Sequence, residues 1–353
     1  MPILKSSQSE DPQTVADIGE FGLIERIARW LPAESSARVV VGIGDDVAVL
    51  DTGAPEYLLA TIDAQVESVH FLRQAISSYQ LGRKTAAVNL SDIASMGGTP
   101  QWALVSLVLP VETEVAFVEG FYAGLRDELQ EAGGVVVGGN LSQTGSGMVI
   151  DLCLLGTVAP ERLILRRGAL PGDMILVTGS LGDSRAGLEL LRRPELAVSP
   201  GVRDHLLARH LTPRPRVREG QLLGRLGKVH AMVDVSDGLR SDLGHILRAG
   251  GVGAELWTEA LPVSTACAET AALAGVEPSA WALGGGEDYE LLFTVAPGDA
   301  QVVCRQIGEE TGTPCTVVGR VLSKEAGLIV RLSERGEPVS MHAAGGWDHF
   351  SGA

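Results

Sequence analysis

Lysine is the first shortage in this 353-residue chain. It occurs only as Lys5, Lys84, Lys228 and Lys324, so arginine carries most of the positive charge. With 44 acidic against 28 basic side chains, the formal net charge is −16. That sign argues against a nucleic-acid backbone or an anionic membrane as a partner. It leaves anionic nucleotides open, because bound metal ions reverse the local sign. Cysteine is also scarce. Cys153, Cys267, Cys304 and Cys315 include no C-x-x-C pair, which signals neither a zinc knuckle nor a redox dithiol. Reduced thiols in a cytoplasmic protein are expected. The longest apolar run, 102–111, is too short to span a bilayer. Residues 1–17 are polar, lack a signal-peptide core and are expected to be a disordered tail. Familiar site signatures are missing as well. Gly82-Arg83-Lys84-Thr85 lacks the upstream glycine of a P-loop, Gly179-Ser180-Leu181-Gly182 is too short for a dinucleotide fingerprint, and neither HExxH nor GxSxG occurs.

What is present is a 45% hydrophobic composition, enough for a sizeable core and two domains. Runs at 39–43, 57–62, 102–109, 135–137 and 148–158 predict strands, with a polar loop over 140–147. Spacing predicts helices over 78–96 and 112–131. The Pro/Arg/Gly-rich stretch 159–172 marks a boundary. Beyond it, strands are predicted at 174–178, 231–233, 254–257, 290–295 and 316–321. Helices are predicted at 183–191, 216–226, 238–249 and 264–273. The expected organisation is α/β (α+β), with an N-terminal domain over residues 18–158 and a C-terminal domain over 159–353.

Short Gly/Asp motifs punctuate this pattern. They are Gly44-Asp45-Asp46, Thr61-Ile62-Asp63, Asn89-Leu90-Ser91-Asp92, Gly138-Gly139-Asn140, Asp234-Val235-Ser236-Asp237-Gly238 and Gly284-Gly285-Gly286-Glu287-Asp288. Each has a bland reading. Gly44-Asp45-Asp46 fits a tight turn, Asp237 a helix N-cap, and Asn89 with Asp92 a polar stripe on one helix face. The alternative is chemical. Two carboxylates about 4 Å apart repel by roughly 4 kcal/mol at an effective dielectric near 20, so a cluster calls for cations. Oxygen-only ligands favour Mg²⁺ shared with a nucleotide phosphate.

In this order and spacing, from Gly19-Glu20-Phe21 to Gly346-Trp347-Asp348-His349-Phe350, the chain resembles the thiamine-monophosphate kinases of the aminoimidazole ribonucleotide synthetase superfamily. The resemblance implies ATP-dependent phosphorylation of thiamine monophosphate, several Mg²⁺ ions and a cytoplasmic homodimer. In that dimer the N-terminal sheets pair into a barrel, and the C-terminal domain is a mixed sheet with helices. It implies metal ligation by Asp46, Thr61, Asp63, Asp92, Asp234 and Asp237, with Asp46, Asp63 and Asp92 carrying catalysis. Tyr122, Gly139, Asn140, Arg166 and Ser236 are implied nucleotide contacts. His70, Glu287 and Trp347 are implied thiamine contacts. An indole can stack on a thiazolium cation, and an arginine can fork onto phosphate. One departure stands out: the family has Gly-Gly-Asp where this chain has Gly138-Gly139-Asn140. Asn140 keeps a carbonyl oxygen but loses a charge, so that metal should bind more weakly. The loss also motivates the rival reading, a nucleotide- or thiamine-phosphate-binding module without catalysis. Another ATP-dependent enzyme of the superfamily is a third reading. Its selenophosphate synthetases need a reactive residue near the N-terminus, whereas the first cysteine here is Cys153.

Overall fold

The computed structural model describes residues 14–31, 37–331 and 338–341. Residues 15–17, assigned to the tail by sequence, open the first helix. Asp17 accepts from both the backbone and the hydroxyl of Thr14, at 2.6 and 2.8 Å, which caps that end.

Helix α1 (Val15–Trp30) is followed by β1 (Val39–Val41), β2 (Ala48–Leu50), β3 (Tyr57–Val66), α2 (Ser78–Ser95), β4 (Thr99–Pro110), α3 (Val115–Glu131), β5 (Val135–Thr144) and β6 (Val149–Val158). The strands form one sheet, β1-β2-β3-β6-β4-β5. All its pairs are antiparallel except β4–β5. Alternation along β3 turns Leu59, Thr61 and Gln65 inward, while Ile62 is exposed. Helices α2 and α3 cover that inward face, where Leu59, Leu81, Leu90, Val105, Phe121, Leu125, Leu152 and Leu154 share one core. The two helices touch backbone to backbone. A Cβ at Gly82 would lie 2.0 Å from the Phe121 carbonyl, and one at Gly124 1.9 Å from that of Tyr79.

The opposite face of this sheet is bare. Ile62, Trp102 and Leu104 are exposed, and the ladder aligns Ile62, Cys153 and Leu104 in one row. Strand β5 is exposed along almost its whole length. Here the structure corrects the sequence reading, which placed a polar loop over 140–147. Pairing with β4 carries β5 through Thr144, because the ladder supplies hydrogen bonds that the local composition does not demand.

The second half comprises β7 (Met174–Thr178), α4 (Asp183–Arg192), α5 (Pro200–Leu211), α6 (Val217–Leu226), β8 (Val229–Asp234), α7 (Leu239–Gly250), β9 (Gly253–Trp257), α8 (Thr265–Ala274), α9 (Pro278–Gly284), β10 (Leu291–Val295), α10 (Ala300–Thr311), β11 (Cys315–Leu322), β12 (Leu328–Arg331) and β13 (Pro338–Met341). The sheet order is β13-β12-β9-β11-β7-β10-β8, mixed through the parallel β9–β12 pair. The α/β expectation, with a mixed C-terminal sheet, therefore holds. Leu176, Met232, Leu291 and Phe293 of the second sheet join the core built on α2. That shared core fixes α2 between the two sheets. No described helix is long and apolar enough to cross a membrane.

Candidate active site

Three strand or turn endings meet the C-terminal half of α2. The β1–β2 turn brings Asp45 and Asp46, β3 brings Thr61 and Asp63, and β8 brings Asp234. From α2 itself come Ser91, Asp92 and Ser95. Asp46, Asp92 and Asp234 each offer an oxygen within 4.8 Å of the others. Small hydroxyls bind them in place. Thr61 Oγ1 donates to Asp92 Oδ2 at 2.6 Å, and Ser91 Oγ donates to Asp234 Oδ2 at 2.6 Å. Ser95 Oγ lies 2.8 Å from both Asp46 Oδ2 and the Asp92 carbonyl. Among the described residues, one cation bonds the group. Arg166 bonds Asp46 Oδ1 through Nε at 3.0 Å and again through Nη2, and its backbone N–H reaches Asp45.

That single guanidinium does not balance the charge. Burial, then Asp63, Asp234 and Asp46, push the Asp92 carboxyl well above the usual range. Burial and Asp46 push Asp234 up to about 8, against the pull of Ser91 and Arg166. Burial raises Asp63 as well, and its Oδ2 is buried without a hydrogen-bond partner. Burial and Asp46 raise Asp45 to about 6. An acidic, all-oxygen cluster with an unsatisfied carboxylate atom fits a hard divalent cation such as Mg²⁺.

A neighbouring turn holds Ser236 and Asp237. Asp237, Asp242 and His245 form a second group of ligand atoms within 4.8 Å. Asp242 accepts from the Asp237 backbone N–H at 3.1 Å, and burial with nearby Asp237 and Asp234 raises its carboxyl. The Ser236 carbonyl accepts from Glu287 N–H at 2.7 Å, which joins the 234–238 and 284–288 loops. Gly286 makes this approach possible. Its φ is +58°, and a Cβ there would lie 2.8 Å from the Ser236 carbonyl. Glu287 then faces Lys84 of α2 at 2.7 Å, while the adjacent Asp288 turns away and accepts from Gly182 N–H and Ser184 N–H. His70 follows β3, its Nδ1 accepting from the Val66 N–H at 3.0 Å.

The structure thus gathers Asp46, Thr61, Asp63, Asp92, Arg166 and Asp234, and brings Ser236, Asp237, Glu287 and His70 to loops around α2. Tyr122, Gly139 and Asn140 stand apart within one chain. Phe121, beside Tyr122, is level with Gly82 of α2, ten residues and so roughly 15 Å from Asp92. Asn140 pairs with Ser106 on the bare side of the sheet, three strands and roughly 14 Å across from β3. Trp347 lies outside the described residues. Asn89 is fully buried and donates to the Thr85 carbonyl at 3.2 Å, away from solvent.

Sequence reasoning missed Lys84, Ser91, Ser95, His210, Asp242 and His245. One signal was available: Lys84, Ser91 and Ser95 are spaced by seven and four residues, one stripe of a helix. All three are at most 1% exposed.

Comparison with known proteins agrees with this architecture. Residues 44–158 match the AIR synthase related protein, N-terminal domain, and residues 171–331 match its C-terminal domain. The thiamine-monophosphate kinase of Escherichia coli K12 is 38% identical over 338 residues, 94% of this chain and 98% of the relative. That of Salmonella typhimurium is 40% identical over 340 residues, with the same coverage. The solved structure of AaThiL complexed with AMPPCP and TMP is 36% identical, with a TM-score of 0.81, covering 96% of this chain and all of the other.

Proposed function

The chain belongs to the thiamine-monophosphate kinase family, and we propose from its site that it transfers the γ-phosphoryl group of ATP directly, in line and with Mg²⁺, to thiamine monophosphate. Its products are thiamine diphosphate and ADP, made for thiamine diphosphate biosynthesis in the cytoplasm. The observation that carries this reading is the convergence of Asp46, Asp92 and Asp234, with the unpartnered Oδ2 of Asp63, on one end of α2.

Phosphoryl transfer asks little covalent chemistry of a protein. The attacking phosphate oxygen is anionic at neutral pH, so no side chain need serve as general base. Asp46, Thr61, Asp63, Asp92, Asp234 and Asp237 are the ligands that would hold Mg²⁺, and Asn140 adds a neutral carbonyl oxygen. Bound there, Mg²⁺ supplies the positive charge that lets two anionic substrates meet. Arg166 exchanges Asp46 for phosphate oxygens, and Ser236 with the nearby loop backbone orients the nucleotide. His70, Glu287 and Trp347 receive the thiamine end.

The nucleotide site is completed by a second copy. Ile62, Trp102, Leu104 and the exposed edge β5 form an apolar face that a homodimer would close into a barrel. The partner's Tyr122, the partner's Gly139 and the partner's Asn140 are then the nucleotide contacts. On this reading the first domain, 18–158, provides dimerisation and most metal ligands, and the second, 159–353, completes the cleft. Sedimentation of the wild type as a dimer, and of Leu104→Glu as a monomer that no longer binds ATP, is the expected outcome.

The deciding experiment incubates the purified chain with ATP, Mg²⁺ and thiamine monophosphate and separates the products by chromatography. Thiamine diphosphate and ADP appear together and vanish with EDTA. ADP alone would point to another acceptor. A raised melting temperature without turnover would favour the binding module that Asn140 motivates.

A further inference from the structure

Lys84 is an ammonium group in the wrong place for a lysine. It is 1% exposed, on a helix whose other buried side chains are apolar or hydroxyl-bearing apart from the amide of Asn89. Burying such a charge is costly unless it is paired and hydrogen-bonded. Its Nζ lies 2.7 Å from Glu287 Oε1 and donates to the His70 carbonyl at 3.4 Å. The other Glu287 oxygen, Oε2, lies 3.3 Å from His210 Nδ1, which is 3.0 Å from Ser184 Oγ. Burial first, and then Lys84, push the His210 imidazole down to about 4, so it stands neutral at physiological pH. Burial alone would raise the Glu287 carboxyl, but the Lys84 ammonium, through its charge and its hydrogen bond, leads the groups that outweigh burial and hold the carboxyl below its ordinary range.

Three features make this more than a buried ion pair. First, it joins elements of both halves: α2 and the His70 loop from the first, the Glu287 turn and α5 from the second. Second, Glu287 is held in a left-handed conformation, φ +57°, that glutamate adopts only at a cost. Third, the exposure is lopsided. Glu287 keeps 30% of its side chain open while Lys84 is sealed behind it. A carboxylate fixed at the back and open at the front presents itself to a ligand.

We propose that Lys84 is a positioning residue for the thiamine end of the substrate, fixing the Glu287 carboxylate and the His70 loop at one spacing across the cleft. This rests on the reading that Glu287 and His70 contact thiamine monophosphate. It gives Lys84 no contact with ATP and no part in phosphoryl transfer.

The test uses the full chain and compares wild type, Lys84→Met, Lys84→Arg and the charge-balanced double variant Lys84→Met with Glu287→Gln. Steady-state kinetics are joined to calorimetric binding of thiamine monophosphate alone. Lys84→Met should raise the KM and Kd for thiamine monophosphate about tenfold, the effect of losing roughly 1.4 kcal/mol of binding, and leave the KM for ATP unchanged. Lys84→Arg should recover part of the loss. If Lys84→Met alone folds poorly, the double variant restores the melting temperature but not the affinity. A Kd within twofold of wild type in Lys84→Met, or equal losses for ATP and thiamine monophosphate, overturns the proposal. Wild-type binding without turnover would sink the kinase reading yet leave Lys84 to be judged by its Kd. No wild-type binding would overturn both.

Discussion

Two groups of buried carboxylates meet the second sheet, one at Glu290 just before β10 and one that reaches it through Asp234 at the end of β8, and they are treated differently. Glu290 is fully buried, and two arginines attend it. Arg216 reaches Oε2 through Nε and Oε1 through Nη2, each at 2.6 Å, and Arg209 reaches Oε1 at 2.7 Å. Thr178 adds a bond at 2.7 Å. Nearby Asp183 is likewise enclosed by Ser180, Ser264, His205 and Arg209. The group at Asp46, Asp63, Asp92 and Asp234 has Arg166 as its protein cation and hydroxyls for the rest. The first group is neutralised by the chain and belongs to the structure. The second needs charge from outside, so its carboxyls rise toward the protonated form when nothing supplies it.

The largest blow to this contrast falls on the satisfied side. Glu290→Gln removes the carboxylate that Arg216 and Arg209 share and leaves Arg209 only Asp183, which should cost about 3–5 kcal/mol and lower the melting temperature with or without Mg²⁺. On the unsatisfied side the effect inverts. Asp92→Asn and Asp63→Asn should each cut turnover by about tenfold or more, while the melting temperature in EDTA stays level or rises. Near-normal rates at saturating Mg²⁺ would falsify the catalytic assignment.

A pH series sharpens the same point. Asp234 has its carboxyl raised to about 8 and Asp45 to about 6, against an ordinary value near 3.9. Across that window the folded chain binds more protons than the unfolded one. Stability of the metal-free protein therefore falls as pH rises from about 4 to about 8. Melting curves in EDTA should show this decline, and saturating Mg²⁺ should flatten it. A metal-free protein that grows more stable over that range would contradict it. The smallest change restores the charge this chain lacks. Asn140→Asp should lower the half-saturating Mg²⁺ concentration by about fivefold, as roughly 1 kcal/mol would.

Much of this architecture is written locally. Asp234 closes the apolar run of β8 and the spacing over 78–96 announces α2, whereas Asp63, just past the strand predicted over 57–62, lies inside β3, which pairing with β6 carries on to Val66. Partners across the chain are not written locally. Ser91 reads as an ordinary helical serine until β8 brings Asp234 to it, 143 positions later. Lys84 sits in a segment where any lysine would be drawn toward solvent. The β4 ladder, rather than the composition, makes Asn140 a strand residue. Cysteine spacing likewise gave no pair, yet Cys304 and Cys315 meet at 3.3 Å because α10 folds back on β11.

The stripe on α2 has a consequence for selectivity. Lys84 and Ser91 are two turns apart on one rigid helix, a separation of about 10 Å that no loop can stretch. On the proposed reading, helix α2 would act as a ruler laid along the substrate, with the ring held by the Glu287 carboxylate that Lys84 fixes at one mark and a phosphate presented near the other. A molecule whose ring and phosphate are spaced differently can satisfy either mark but not both. Discrimination by length then needs no dedicated gate, and one residue inserted between the marks would turn them about 100° apart.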